Sequence, residues 1–380
     1  MGNDLLWWVA LNLLPNIGSI KAKALLDSFP QPADIFKAGK SDLMKVGKLS
    51  FQDTENILGF KIETAEEELC LAEKHGFGII PQNDSQYPEL LKQIPDPPIL
   101  LYVWGALKEI DLLAAAIVGT RLCSPYGMIQ AARFAAGIVS AGFTVVSGLA
   151  KGIDTAAHQG ALRAKGRTIA VLGSGLLDIY PVENRKLAEK IAASGAVVSE
   201  LPLRMRPDRQ NFPKRNRIIS GLSRAVLVVE AGNRSGALIT ASLALEQGRE
   251  VFALPGPVDQ EMSLGTNNLL KEGAQIATAP EDILIALAPT LPFPKEEMTP
   301  VEKETQFKAE CTGQNQLRST LSGDYPELKA LLSNEKAVGI EEIATHLNLS
   351  LAEVGSLLTR LELEGRIKEV PGKRFTLVVS

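Results

Sequence analysis

The sequence predicts an α/β protein built on a Rossmann-like, doubly wound and mostly parallel sheet, with a small helical domain before it and a winged-helix domain after it. In the middle of the chain, short apolar runs alternate with amphipathic helical patterns, as in repeated βαβ units. Before about residue 64, apolar residues recur at helical spacing. At the C-terminal end, helical patterns are followed by two β-rich runs, the order of a winged helix.

Residues 1–64 are predicted to form a small helical domain of the SAM or helix–hairpin–helix type. Residues 14–18 (LPNIG) resemble a hairpin turn, in which glycine lets the amides of the next helix approach a phosphate. Lys21 and Lys23 would assist, and residues 44–48 look like a weaker second copy. A helical bundle with an ordinary turn and no DNA contact is the open alternative.

Residues 65–288 are predicted to form the Rossmann-like domain. Strands this uniformly apolar are buried on both faces, which is typical of a parallel sheet. The predicted strands are residues 77–81, 99–103, 115–118, 144–146, 169–172, 196–198, 225–229 and 251–254, and the predicted helices are residues 130–140, 155–165, 185–193 and 238–247.

A linker and a winged-helix domain are predicted to complete the chain. Residues 289–324 are rich in Pro, Glu, Thr, Lys and Gln, a composition that cannot bury enough apolar surface to order itself. In residues 325–380, helices are predicted at 328–332, 340–346 and 352–364, and a hairpin wing at 365–368 and 375–378. The third helix carries Glu353, Glu362 and Glu364 against the single cation Arg360. Duplex binding and a protein-contact role therefore both remain open for this domain.

The bulk composition indicates a soluble cytoplasmic protein. The net charge is −4, and the three cysteines are far apart without a CxxC pair, so neither a disulfide framework nor a zinc ribbon is expected. No cation precedes Lys21 and no apolar run is long enough for a membrane helix, so neither a signal peptide nor a membrane segment is expected.

Glycine- and serine-rich loops follow four of the predicted strands. In an open α/β sheet such loops lie side by side beyond the carboxyl ends of the strands, where their amides can hold phosphates. No GxGxxG or GxxxxGK[ST] motif is present, so no nucleotide cofactor is expected. These loops are residues 119–121, 147–154, 173–175 and 230–236, and Arg121 and the cations of residues 214–217 flank the phosphate shelf that they are predicted to form.

A cationic stretch with an aromatic residue lies between residues 204 and 217. It contains six Lys and Arg residues against Asp208, within a chain that is acidic overall. Clustered cations neutralise phosphates, and an aromatic ring stacks on an unpaired base. The predicted single-strand DNA contacts here are Phe212, Lys214, Arg215 and Arg217, with Asn216 as either a contact or a brace.

No catalytic residue and no metal site are predicted. Asp154 and His158 share a helix face, and Asp154 is expected to cap that helix. Glu200 and Glu230 at strand ends are expected to orient Arg215 and Arg217, although a role as a base stays open. Neither Ser147 nor Ser235 has a convincing base partner.

The ordered set of motifs closely resembles the bacterial DNA-processing protein A family (DprA, also called Smf). The resemblance covers the whole predicted Rossmann-like domain, and both terminal additions occur in that family. It implies a non-enzymatic protein that binds and protects incoming single-stranded DNA, loads the RecA recombinase onto it during natural transformation, and forms homodimers through the Rossmann-like domain. By the same resemblance, the phosphate path would be contacted or shaped by Arg121, Lys214, Arg215 and Arg217, and Phe212 would stack on a base. Backbone amides or hydroxyls would come from Ser147, Gly148, Gly173, Ser235 and Gly236. The motifs are residues 117–121 (IVGTR), 124–127 (SPYG), 146–154 (VSGLAKGID), 180–181 (YP), 199–200 (SE), 212–222 (FPKRNRIISGL), 229–231 (VEA), 235–236 (SG) and 255–256 (PG).

Two other readings compete with this one. A Rossmann-like nucleotide hydrolase of the lysine-decarboxylase-like type would use Glu230 on a ribose, but its PGGxGTxxE signature is missing, and release of base from nucleoside monophosphates would reveal it. A transcription regulator would use the winged domain on duplex DNA, and palindrome binding by residues 325–380 alone would reveal it.

Overall fold

The computed structural model describes residues 2–287 and, nearer the C-terminus, residues 338–339, 342–343, 346, 354, 358, 361, 367–370 and 374–377. The chain divides into two compact units, Met1–Pro294 and Lys295–Ser380. In the described part of the chain, no helix is long and apolar enough to cross a membrane.

The first part of the chain is helical, as its apolar periodicity predicts. Its turns follow α1 (Gly2–Leu13) and α4 (Lys40–Leu43), at the two sequences predicted to be hairpins. Ser50 caps α5 (Phe51–Leu58) in a capping box, in which its hydroxyl accepts from the Asp53 amide and Asp53 accepts from the Ser50 amide. The helices are α1 (Gly2–Leu13), α2 (Ser19–Ser28), α3 (Pro32–Lys37), α4 (Lys40–Leu43), α5 (Phe51–Leu58) and α6 (Glu63–His75).

The sheet of the first unit has nine strands in the order β1-β2-β6-β5-β4-β3-β7-β8-β9. The strands from β6 to β9 in this order are parallel, whereas β1 and β2 pair antiparallel at one edge, so the predicted mostly parallel sheet is confirmed. The strands are β1 (Gly78–Pro81), β2 (Leu100–Gly105), β3 (Ala114–Val118), β4 (Thr144–Ser147), β5 (Thr168–Val171), β6 (Ala196–Ser199), β7 (Ala225–Val228), β8 (Glu250–Ala253) and β9 (Gln275–Ile276).

Helices cover this sheet, and all four predicted helices are present. The first begins five residues earlier than predicted, because the Ser124 hydroxyl caps it and Pro125 occupies its first turn. The helix over the FPKRNR motif was not predicted. The helices are α7 (Glu89–Lys92), α8 (Pro125–Ser140), α9 (Ile153–Arg163), α10 (Arg185–Ser194), α11 (Asn211–Gly221), α12 (Gly236–Glu246), α13 (Glu261–Lys271) and α14 (Pro280–Leu287).

The direction of winding reverses next to β3. The chain proceeds from β3 through β4 and β5 to β6 on one side, then continues on the other side from β7 through β8 to β9. The loops after β3 and β7 therefore diverge and leave a crevice at the carboxyl ends of these strands. This reversal is the place where open α/β sheets bind ligands.

The helical region and the sheet share one apolar core. Buried side chains from the early helices, such as Trp8 and Leu25, belong to the same cluster as Tyr102, Leu172 and Val197 from the sheet. Two polar contacts add to this packing: Asn12 donates to the Glu200 carbonyl at 3.2 Å, and Glu68 accepts from the Leu203 amide at 2.7 Å. Residue 64 therefore marks a change in the sequence pattern, whereas the packing is continuous across it.

The second unit contains a three-stranded antiparallel sheet in the order β10-β12-β11. Its strands are β10 (Val338–Gly339), β11 (Ile367–Val370) and β12 (Arg374–Leu377), and β11 and β12 form the predicted wing. Val354, Leu358 and Leu361 are helical and buried. The predicted helix 328–332, the turn 348–350 and the linker lie outside the described residues.

Candidate nucleic-acid interface

A cavity of about 1000 Å³ occupies the crevice at the carboxyl ends of the strands. The loop after β3 and the loop between β7 and α12 form two of its walls, and α11 forms a third. Its lining includes Arg121, Phe212, Arg215, Asn216 and residues 232–237. The structure therefore brings together residues that are about one hundred positions apart in the sequence, at the position where the loops predicted a phosphate shelf.

Three exposed arginines line this cavity, and we call them the rim arginines: Arg121, Arg209 and Arg234. None of them forms an ion pair within the part of the chain that the structure describes. The guanidinium carbon of Arg121 lies 5.0 Å from the centroid of the Phe212 ring. The rim therefore presents unpaired positive charge to any ligand in the cavity.

The Phe212 ring is held between neighbours on the cavity wall. The Tyr180 ring lies 5.8 Å away, centroid to centroid, at an interplanar angle of 50°. Gly173 lies beneath the ring, since a Cβ at that position would be only 2.7 Å from Cδ1 of Phe212. A glycine is therefore required at position 173 for this close approach of the ring.

Helix α11 gives the FPKRNR motif an inner and an outer face. Pro213 lies in the first turn, where its missing N–H is tolerated. Lys214 is exposed, whereas Arg215, Asn216 and Arg217 are all buried. Sequence reasoning treated the motif as a cationic segment, and the helix makes most of its positive charge internal.

Arg215 and Asn216 form the floor of the cavity. Arg215 is only 5% exposed, and its Nη1 donates to the Gly148 carbonyl at 2.6 Å and to the Val171 carbonyl. Its Nε donates to Oδ1 of Asn216, and Nδ2 of Asn216 donates to the Gly236 carbonyl at 3.3 Å. Burial lowers the pKa of Arg215 to about 10. These floor residues connect β4, β5 and α12, so Asn216 acts here as a brace.

Arg217 is buried but does not line the cavity, and it pairs with two partly exposed carboxylates. Its Nε lies 2.8 Å from Asp96, and its Nη2 donates to Glu200. The predicted orienting role of Glu200 therefore matches this geometry. The expectation that Arg217 shares a phosphate path with Arg121 does not, because its guanidinium is occupied by two carboxylates.

Glu230 has a different partner from the one predicted. Its carboxylate accepts from the amide of Ser124 at 2.9 Å and from the Ser124 hydroxyl at 2.5 Å. Gly127 allows this contact, since a Cβ there would lie 2.4 Å from the carboxyl carbon. The expectation that Glu230 orients Arg215 is thus wrong: Glu230 anchors the start of α8 and the loop that carries Arg121.

The residues after β4 are also internal. The Ser147 hydroxyl donates to the Ile117 carbonyl at 2.6 Å and is fully buried. Asp154 accepts from the amides of Gly148 and Ala150, so it closes its own loop and does not cap α9, whose cap position is Gly152. The interpretation of Asp154 as a helix cap was therefore wrong.

His158 is fully buried and its Nδ1 lies 2.8 Å from the Thr168 hydroxyl. Burial lowers its pKa to about 3, and the nearby charge of Arg215 acts in the same direction. Asp154 and His158 share no hydrogen bond in the structure. Neither residue is presented to a substrate as an acid–base pair would require.

The two other predicted contacts remain accessible at the edge of the cavity. Ser235 caps α12, and its hydroxyl accepts from the Ala237 amide at 3.3 Å. Gly236 is exposed, with open space where a side chain would stand. This helix start, residues 235–237, is part of the cavity lining.

Lys214 lies outside the main cavity. It lines a second cavity of about 700 Å³ together with the hairpin residues Asn16, Ile17 and Gly18. Lys21, predicted to assist at this hairpin, also lines it but pairs with Asp53 at 2.7 Å. Lys214 therefore lies between the sheet-end cavity and the helical region.

Arg209 and Arg234 were not among the predicted contacts. Arg209 belongs to the cationic stretch that the sequence made conspicuous, and Arg234 lies in the glycine-rich loop after β7. Each was therefore visible in a motif, but only the fold shows that both side chains reach the same cavity as Arg121. Among the described residues, no cluster of His, Cys, Asp or Glu is arranged to hold a metal ion.

Comparison with known proteins gives two family matches. Residues 78–288 match the family model described as DNA recombination-mediator protein A, and residues 314–373 match the DprA winged helix domain. Protein Smf of Synechocystis sp. is 36% identical over 97% of this chain and 98% of its own length. Protein Smf of Escherichia coli is 40% identical over 85% of this chain and 84% of its own length.

Two solved structures are also similar. DNA processing protein A from Streptococcus pneumoniae has 35% sequence identity and a TM-score of 0.65, covering 75% of this chain and 98% of that one. DNA processing protein A from Helicobacter pylori has 31% identity and a TM-score of 0.51, covering 56% of this chain and 96% of that one. The latter structure was described for its single-stranded DNA binding mode.

Proposed function

This chain belongs to the DNA recombination-mediator protein A family of DNA-processing proteins, which take part in DNA recombination, and we propose that it binds single-stranded DNA in the cavity at the carboxyl ends of its strands. The observation that carries this proposal is the set of unpaired rim arginines around the Phe212 ring. The single-strand binding of the Helicobacter pylori protein supports it.

The chemistry of the cavity fits an unpaired strand. Cations at Arg121, Arg209 and Arg234 neutralise phosphates whatever the sequence, so binding is independent of base order and weakens with salt. Phe212 offers a ring on which an unpaired base stacks, which a base pair within a duplex cannot do. The proposed contacts are the three rim arginines and Phe212 with the amides at Ser235 and Gly236 in the main cavity, and Lys214 at the second cavity beside it. Their supporting residues are Ser147, Gly148, Gly173, Arg215, Asn216 and Arg217.

We propose binding without catalysis at this site. The one carboxylate that a nucleotide hydrolase would use, Glu230, accepts two hydrogen bonds from Ser124. Asp154 and His158 are buried and serve the local structure. The site residues thus favour holding a strand over cleaving it.

Fluorescence anisotropy with labelled single-stranded and duplex oligonucleotides tests the proposal. The wild type is expected to prefer the single strand, and Arg121→Ala combined with Lys214→Ala to lose about tenfold or more in affinity, since two phosphate contacts disappear. Arg163→Ala is the matched control, because Arg163 is exposed at the end of α9 that lies at the opposite edge of the sheet. Equal affinity for both DNA forms, or no loss in the double variant, would contradict the proposal.

We propose further that the bound strand is protected and passed to the RecA recombinase, as in natural transformation. A strand held through phosphates in an open cavity is shielded from nucleases and remains able to exchange partners. RecA-dependent strand exchange on DNA coated with single-strand binding protein is expected to accelerate when this chain is added. An unchanged rate would contradict the loading role.

We also propose a homodimer through the Rossmann-like domain, acting in the cytoplasm. Strand β9 is the last strand of the sheet, and Ile276 on it and Ile285 on α14 are exposed apolar residues close in the chain. Two joined cavities would raise the affinity for long strands. Cys70 and Cys123 are free thiols, as a reducing compartment permits. Sedimentation equilibrium that gave only the monomer mass would refute the dimer.

A further inference from the structure

Lys151 is a cation at the edge of the main cavity that the rim arginines do not include. It lies in the loop between β4 and α9, directly after Ala150, which lines the cavity. Its Nζ lies 2.6 Å from Oε1 of Glu183, and the two side chains are 57% and 66% exposed. The ion pair is therefore surrounded by solvent.

Glu183 belongs to a second chain segment that reaches the same cavity. Tyr180, three residues earlier, lines the cavity and packs against Phe212. The pair thus lies beside the aromatic wall on which a base is proposed to stack.

Buried hydrogen bonds hold the two backbone segments in fixed positions. Nδ2 of the buried Asn184 donates to the Leu149 carbonyl at 2.8 Å and to the Thr155 hydroxyl at 2.8 Å. The Thr155 hydroxyl in turn donates to the Ala150 carbonyl at 2.6 Å. The exposed side chains of Lys151 and Glu183 can therefore change partners while their backbone segments stay in place.

We propose that Lys151 binds a phosphate of single-stranded DNA, and that Glu183 holds this ammonium in the free protein and is displaced by the strand. The proposal rests on the proposed function. The carboxylate occupies the place of an anionic phosphate oxygen beside the same cation. An exposed ion pair is weakly held, so a phosphate displaces the carboxylate with little loss. Glu183 therefore competes with the strand and lowers its affinity.

A double-mutant cycle tests this competition by anisotropy with a labelled oligothymidine at constant salt. Glu183→Gln is expected to tighten binding about two- to fivefold, the range that corresponds to an exposed ion pair. Lys151→Gln is expected to weaken binding about two- to tenfold, as loss of a phosphate contact does. In the Lys151→Gln background, Glu183→Gln is expected to have little effect, because the competing cation is gone.

Glu189→Gln serves as the matched control. It removes the same charge from an exposed side chain on α10, and Oε1 of Glu189 lies 4.0 Å from Nε of Arg185. Tightening by Glu183→Gln that equals the control, or that persists unchanged with Lys151→Gln, would overturn the inference while the proposed function stands. A wild type that does not bind the oligothymidine would overturn the proposed function and the inference together.

Discussion

The rim and the floor of the sheet-end cavity use the same residue type in opposite ways. Arg121 on the rim is exposed, contacts a ring and has no carboxylate partner among the described residues, whereas Arg215 on the floor is buried and bonded to two carbonyls. This difference shows that the arginines of one site can have two roles: some are available to bind a ligand, and others stabilise the fold. Burial decides which arginine does which, because a desolvated guanidinium must have its partners inside the protein.

The largest expected effect comes from removing the floor cation. Arg215→Met keeps much of the side-chain volume. It removes the hydrogen bonds to the Gly148 and Val171 carbonyls and the positive charge near Asp154. The free energy of unfolding in urea is expected to fall by about 3–5 kcal/mol. Arg121→Met is expected to change it by less than about 0.5 kcal/mol, as is usual for an exposed side chain.

The same pair of variants can break the comparison. If Arg215→Met unfolds like the wild type and loses only DNA affinity, Arg215 is a contact residue and the floor is part of the binding surface. If Arg121→Met is as unstable as Arg215→Met, the rim is structural. Either result would remove the distinction between the two sets.

A smaller loss of stability is expected in acid, and it comes from the buried His158. The pKa of His158 is about 3 in the folded protein and 6.5 for an unperturbed histidine, so the unfolded chain takes up the proton first as the pH falls. Stability from this residue is complete above pH 6.5 and is lost towards pH 3. Between pH 6.5 and 4.5 the loss is about 2–3 kcal/mol, at about 1.4 kcal/mol per pH unit.

Urea unfolding of the wild type and of His158→Gln across this pH range measures the free energy of unfolding that depends on His158. The variant lacks the titrating ring, so its free energy of unfolding is expected to fall less steeply with acid than that of the wild type. Parallel curves for the two proteins would show that His158 is not held neutral.

The smallest expected effect is on the position of the Phe212 ring. In Gly173→Ala the new methyl group would lie 2.7 Å from Cδ1 of Phe212, so the ring must move from beneath Arg121. We expect a loss of about 1 kcal/mol in stability and a few-fold loss in affinity for single-stranded DNA. Gly47→Ala is the matched control, because Gly47 lies in the turn after α4, outside the cavity lining, and has open space for the methyl group. Equal affinities in the two variants would show that the ring position is unimportant.

The strands and the loops at their ends could be predicted from the sequence. Residues such as 115–118 and 225–229 are continuous apolar runs, and the ends of the eight predicted strands differ from the observed ones by at most two residues. The ninth strand, β9, has only two residues and was not predicted. Since parallel strands end at one edge, the convergence of their glycine-rich loops followed directly. The placement of Arg121 at this edge followed from the same rule, whereas the placement of Phe212 depends on α11.

The orientation of individual side chains could not be predicted in this way. The motif at residues 212–217 has one apolar residue, one proline and three cations, so no amphipathic periodicity marks α11 or its buried face. The partner of Glu230 lies 106 positions earlier in the chain, and nothing local to either residue indicates the pairing. Distant contacts of this kind are set by the packing of α8 and β7, which the sequence pattern leaves unspecified.

The apolar core common to the early helices and the sheet has a consequence for synthesis on the ribosome. Trp8 and Leu25 emerge first, but the side chains that cover them include Leu172, Val197 and Leu203, which are translated much later. At the usual pace of elongation this delay is on the order of ten seconds. During that time the apolar face of the nascent helices is not covered by its packing partners, and chaperones can bind it.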